Sequence, residues 1–214
     1  MIDGNDEIIA GATVNMDNMN ENTAADNLAW VQADIPLPPE RLLDFLAASD
    51  RLWRLNPFLT IESLKENADH GFRLIANNDA NGCHLDLAVS RESLPPGGFR
   101  FSYDKGLKQT TEFAVEPRGA GSLLTVTERY DPAAAPDARA KEIDSSLLPW
   151  VTALRKHIVA RSRWGGLPGW QVLTEDIMLS LAPRRRRIVR VVAWLTVIEL
   201  ALLLGLAVVL RFVG

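Results

Sequence analysis

The sequence predicts an α+β fold in which an antiparallel sheet of about seven strands packs on one long helix, followed by one transmembrane helix. Three observations carry that expectation. Strand-like runs after residue 58 are separated by short turn-forming segments, one amphipathic stripe continues from about 139 to 163, and the stretch 188–213 is apolar on every side.

The first expected strand, 28–35, sets Val31, Ala33 and Ile35 against Gln32 and Asp34, the period of a strand with one buried face. Pro36, Pro38 and Pro39 end it. Pro39 suits the first turn of a helix over 40–48, where Leu42, Leu43, Phe45 and Leu46 form the apolar side. A second short helix, 50–55, stops at Asn56 because Pro57 disfavours helical geometry in the residue before it. Six further strands are expected near 59–66, 71–76, 83–90, 99–103, 109–117 and 122–130. Their connections are short and turn-rich, notably 77–82, 95–98, 104–106 and 118–121, which implies an antiparallel meander.

Alternation places Phe72 and Leu74, then Cys83, Leu85, Leu87 and Val89, then Phe99, Phe101 and Tyr103, then Thr111, Phe113 and Val115 on one face. The last strand adds Leu124, Val126 and Glu128, with Glu128 expected near a rim. Over 139–163, Ile143, Leu147, Val151, Leu154 and Ile158 recur at three- and four-residue steps, so one stripe faces the sheet. Pro149 is expected to kink this helix. Arg155, Lys156, Arg161 and Arg163 lie toward its end, where cations favour the helix dipole.

Residues 164–187 read as a linker. Trp164 and Trp170 flank a Gly/Pro-rich break, and 171–182 forms either a short amphipathic helix at the lipid interface or a spacer packed on the domain. Arg184, Arg185, Arg186 and Arg187 are expected at the membrane surface. In the transmembrane stretch 188–213, the residues between Val191 and Leu210 are broken only by Thr196, Glu199 and Gly205. Twenty residues at about 1.5 Å each span roughly 30 Å of hydrocarbon. Glu199 costs on the order of 3 kcal/mol, whereas the surrounding Val, Leu and Ile each return roughly 0.3 to 0.6, so insertion is favoured. Four arginines, Arg184 to Arg187, and then Arg190 precede the run from Val191, and only Arg211 follows it, which places the preceding chain on the cytoplasmic side of a tail-anchored protein.

The remaining composition narrows the classes. With 47% hydrophobic and 23% charged residues, the chain suits one soluble domain plus an anchor. Residues 1–27 carry Asp3, Asp6, Glu7, Asp17, Glu21 and Asp26 with no Lys or Arg, and are expected to be a disordered acidic tail. They lack the basic start and apolar stretch of a secretory signal. Nucleic acid is not an expected partner, and the single cysteine, Cys83, excludes an intramolecular disulfide.

The stretches WVQADIPLPPE (30–40), LWRLNP (52–57), TEFAVEP (111–117) and GSLLTVTERY (121–130), with the order strand, two helices, six strands and long helix, resemble the START-like (SRPBCC) superfamily. That superfamily includes polyketide cyclase-like, Bet v 1-like and coenzyme Q-binding proteins. The resemblance covers 28–163 and implies a helix-grip fold: a curved sheet wrapped around the long helix, with an apolar cavity for a lipid, quinone, isoprenoid or polyketide. The candidate ligand contacts are then Trp53, Phe72, Leu87, Phe101, Phe113, Val126 and Leu154. The same side chains also suit a filled core.

Chemistry is not expected. His70, His84 and His157 have no metal-ligand spacing, and His84 with Asp86 belongs on the outer face opposite Leu85 and Leu87. No phosphate loop, nucleophile elbow or dinucleotide fingerprint is present, so no catalytic residue, metal or cofactor is assigned. Glu199, with Trp194 and Gly205, is expected to contact another integral membrane protein. The function expected is a membrane-anchored, non-catalytic module holding or presenting a hydrophobic small molecule at the cytoplasmic face. The alternatives are an accessory subunit of a membrane complex with a filled cavity, and a polyketide cyclase-like enzyme.

Overall fold

The computed structural model describes residues 8–12, 27–67, 71–133 and 136–213, without the side chains of 8–12, 136–146, 187, 190, 204, 206–208, 210, 212 and 213. Strand β1 (Ile8–Ala12) and strand β2 (Leu28–Ile35) precede helices α1 (Pro39–Ala47) and α2 (Ser49–Arg54). The meander follows as β3 (Leu59–Glu66), β4 (Phe72–Asn78), β5 (Cys83–Leu94), β6 (Gly98–Tyr103), β7 (Lys108–Arg118) and β8 (Gly121–Tyr130). Helices α3 (Pro136–Trp164) and α4 (Pro183–Val213) complete the order.

All strands join one antiparallel sheet in the order β1-β2-β8-β7-β6-β5-β4-β3. The seven expected strands are β2 to β8. The eighth, β1, corrects the expectation of a structureless tail over 1–27: it pairs with β2 from Ile8 opposite Ala33 to Ala12 opposite Ala29. An open strand edge carries unpaired backbone donors and acceptors, and the apolar run Ile8, Ile9, Ala10 is enough to occupy it. The rest of that tail, 1–7 and 13–26, lies outside the described residues, as does His70.

Alternating burial runs through β2 and β8, where every second residue is buried. From α3, Leu147, Trp150, Val151, Leu154 and Ile158 are buried, and the helix packs on β2 and β8. The side chain of Ile143 is outside the described set. The helix continues through Pro149 as a single element. One side chain ties the sheet to both α2 and α3. Trp53 of α2 touches Phe72 of β4, Phe101 and Tyr103 of β6, and Trp150 of α3, with ring centroids 5.1 to 6.1 Å apart.

Helix α4 starts five residues before the expected span, so Arg184, Arg185 and Arg186 are helical. Over 191–203 every side chain is exposed, and nothing from the domain covers this face-all-round apolar run. Among the described residues no helix is long and apolar enough to cross a membrane. The sequence between Val191 and Leu210 contains one ionisable residue, Glu199.

Candidate functional site

Six of the seven residues expected to line a ligand cavity meet in one core: Trp53, Phe72, Phe101, Phe113, Val126 and Leu154 are all buried. Leu87 packs against the edge of that core and is half-buried. The rings of Phe101 and Phe113 are 6.0 Å apart, and Phe113 meets Trp150 at 5.6 Å. These are aromatic contact distances, so the side chains fill this part of the cup with one another. One polar atom in the cluster stands out. The indole Nε1 of Trp53 is buried without a hydrogen-bond partner.

Beside this cluster, joined to it by the contact of Tyr103 with Trp53 at 6.1 Å, lies a charged network that alternation only half revealed. Glu128 was expected at a rim; it is 0% exposed. Its Oε1 accepts from Lys108 Nζ at 2.5 Å and, more weakly, from Thr111 Oγ1 at 3.5 Å, while Oε2 accepts from the Tyr130 hydroxyl. The Tyr103 hydroxyl is 2.8 Å from Thr111 Oγ1. Burial, and then the Glu128 charge, push the Tyr103 pKa above its ordinary phenolic value. Both carboxylate oxygens of Glu128 are engaged, so the cluster binds β7 to β8 rather than presenting a free acid.

The segment 165–182, here the strap, folds back on the domain. It contains a π-helical turn, Val172–Ile177, in place of the amphipathic helix expected over 171–182. Glu175 from that turn pairs with Arg51 at 3.3 Å and with Arg161. The spacer alternative therefore describes its packing, although Val172, Leu173 and Ile177 remain exposed. The strap also covers His157 of α3. Its ring packs between Phe45 and Trp170, at 5.8 and 6.1 Å, and its Nε2 is buried without a hydrogen-bond partner, 3.9 Å from Glu175 Oε1. Nothing local in the sequence could show this, because the cover comes from a segment that follows α3.

Burial lowers the His157 pKa to about 4, with Arg51, Arg161 and Arg186 acting in the same direction and Glu175 opposing them. The unfolded imidazole protonates near 6.5, so between those values the unfolded chain binds more protons than the folded one. Stability is therefore expected to fall as pH drops from about 6.5 toward 4. In His157→Gln, urea titrations over that window should show a shallower loss than in the parent; equal slopes would remove His157 as the cause.

Arg186 corrects the expectation of four equivalent membrane-surface arginines. It is 8% exposed, and its guanidinium donates to the carbonyls of Leu181 (2.7 Å), Arg54 (2.6 Å) and Leu179 (2.9 Å). The Arg54 carbonyl belongs to the last turn of α2, whose carbonyls lack helical partners. Arg186 thus roots α4 on the domain. Arg184 is exposed and lies 3.6 Å from Asp79, and Arg185 is exposed; the Arg187 side chain is outside the described set.

Glu199, Trp194 and Gly205 sit on the exposed part of α4, Trp194 at 68% exposure, and a Cβ at Gly205 would meet open space. At 3.6 residues per turn Trp194 and Gly205 lie within about 20° of each other, with Glu199 about 140° away from Trp194. The three do not share one contact face; Thr196, about 60° from Glu199, is its closer polar neighbour. On the sheet, His84 pairs with Asn77 and Asp86 with Arg73, separately and on the outer surface. Cys83, expected on the inner face, is exposed at the end of β5.

No family model matches the chain, and no curated relative matches it. Solved structures do. A protein from Nitrosomonas europaea is similar with a TM-score of 0.51 at 10% identity, over 65% of this chain and 97% of its own. A Thermus thermophilus protein is similar at 19% identity and a TM-score of 0.48, over 63% of this chain and 99% of its own. A conserved protein from Geobacillus kaustophilus follows at 14% identity and 0.49, over 63% and 96%. Identities this low bear on fold alone, and the Nitrosomonas structure carries that argument. The fold is α+β, a curved antiparallel sheet with a long helix after it, consistent with the helix-grip arrangement.

Proposed function

We propose that this chain is a membrane-anchored, non-catalytic accessory module of START-like type: a packed helix-grip domain held at the cytoplasmic face of a bilayer by α4 as a single transmembrane helix. The observation that carries this reading is α4 itself. An apolar helix exposed on every side over 191–203 has no covering partner in the domain, and lipid is the solvent that suits such a surface. The base of α4 is fixed to the domain through Arg186, so the anchor would set the stance of the cup as well as its location. Arg184 and Arg185 before the run, against Arg211 alone after it, support the cytoplasmic side. The aromatic packing of the cup favours an accessory role over carriage of a large ligand, and Glu199 offers a polar contact to a neighbouring membrane helix.

Flotation with liposomes tests the anchor. The full-length chain is expected to rise with the vesicles and a version ending at Ala182 to stay at the bottom. Recovery of the full-length chain in the aqueous fraction without detergent would refute the reading. On native gels, Glu199→Leu should release the chain from its membrane partner, and unchanged co-migration would remove that role from Glu199.

A second reading, a hydrophobic molecule held in the cup, is favoured by the unpartnered Trp53 Nε1, a donor that a ligand oxygen would satisfy. Extraction of the purified full-length chain and of its Trp53→Phe variant, followed by mass spectrometry, separates the two. A stoichiometric hydrophobic molecule lost in the variant supports this second reading; its absence, or its retention in the variant, supports the filled cup.

A further inference from the structure

The outer face of α3 carries an apolar feature that the helix-grip arrangement does not require. A cleft of 740 Å³ runs between that face and the strap, its apolar lining including Leu148, Ala153 and Ala160 from α3 and Trp170, Met178 and Leu179 from the strap. Small-molecule sites occupy roughly 300 to 1,000 Å³. A helix face turned outward is ordinarily polar, yet Leu148 remains 42% exposed here. The lining also includes Pro183 and Arg186 from the first turn of α4, so the cleft adjoins the base of the anchor.

Its polar groups are few. Thr152, Lys156, His157 and Thr174 join Arg186, whose guanidinium is committed to three carbonyls. The charged groups in the lining are both cationic. His157 lines the cleft with its ring, while its buried Nε2 lies 3.9 Å from Glu175, outside the lining. Lys156 is exposed and carries the one charge in the lining not held by the Arg186 network. An apolar trough at the base of α4 with an accessible ammonium at its wall is the complement of a molecule with a greasy chain and an oxygen-bearing head.

We propose that the cleft between α3 and the strap takes the apolar chain of a membrane amphiphile, with an oxygen acceptor of its head (carboxylate, phosphate or carbonyl) meeting Lys156. The site is separate from the cup and rests on the reading of α4 as a membrane anchor. The amphiphile would enter laterally from the bilayer at the α4 base.

Photolabelling of the full-length protein in phosphatidylcholine vesicles tests this. One set of vesicles carries a photoreactive fatty acid, the other a photoreactive phosphatidylglycerol. Label is expected on peptides spanning 148–160 or 170–179 as well as on α4. Label there from the fatty acid alone assigns a free acyl chain, and label from the phosphatidylglycerol assigns an intact lipid; either supports the site. Ala153→Trp, and independently the milder Ala160→Leu, should reduce label on those peptides at least tenfold while leaving α4 labelling and the melting transition unchanged. Lys156→Met should lower it severalfold. Label confined to α4, or cleft label indifferent to both filling substitutions, would overturn the proposal with the anchor intact. Absence of label from α4 together with failure to float would instead refute the anchor.

Discussion

Lys108→Met is expected to destabilise the domain by about 3 kcal/mol, toward the lower end of the 3 to 5 typical when one partner of a buried ion pair is removed. Glu128 is fully enclosed, and among the described residues Lys108 is its one cationic contact, at 2.5 Å. The Lys108 side chain is 18% exposed, so solvent screens part of the interaction and sets the discount. Without the ammonium, the carboxylate keeps, among the described residues, the Tyr130 and Thr111 hydroxyls. A buried charge without its counter-charge costs more than the pair was worth. Lys108→Met combined with Glu128→Gln should therefore recover most of the loss, because the amide oxygen still accepts from Tyr130 and no charge is left behind. Urea denaturation of the two single variants and the double gives the coupling directly. A Lys108→Met chain within about 0.5 kcal/mol of the parent would show that the pair carries no such weight, since surface pairs behave that way.

The same residues show what the sequence could and could not disclose. Alternation in β8 correctly turned Leu124, Val126 and Glu128 inward, because period two is a property of the strand itself. It did not identify Lys108 as the partner. The β7–β8 register shifts between Lys108 and Thr110, and such a bulge re-aims the residues on one side of it. A simple alternation from Thr111 would have turned Lys108 outward.

The four arginines before the span make the same point at another scale. Their clustering raises the expectation of a membrane boundary, but only the tertiary contacts of Arg186 with α2 and the strap distinguish it from Arg184 and Arg185. Order and type of β2 to β8 were legible from turns and periodicity. The strap was not, since a six-residue π-helical turn held by Glu175 has no periodic signature.

Trp150→Ala is expected to cost about 3 to 5 kcal/mol, the range for removing a buried aromatic side chain. Trp150 is buried against Trp53 at 5.1 Å and Phe113 at 5.6 Å, and its Nε1 donates to the Leu52 carbonyl at 2.9 Å. That carbonyl lies in the last turn of α2, so the indole also caps a short helix. Truncation removes the transfer energy and the cap and leaves a void. The void is slow to close because Trp53 and Phe113 are held from α2 and β7, on opposite sides of it. Indole in solution should then bind the space and restore part of the stability in a concentration-dependent way, as mass action requires. The parent supplies the decisive control. If its cup is filled by its own rings, indole leaves its melting temperature unchanged. Equal stabilisation of parent and variant would mean that the native cup already has room for an aromatic guest, and the ligand-holding reading would displace the accessory one.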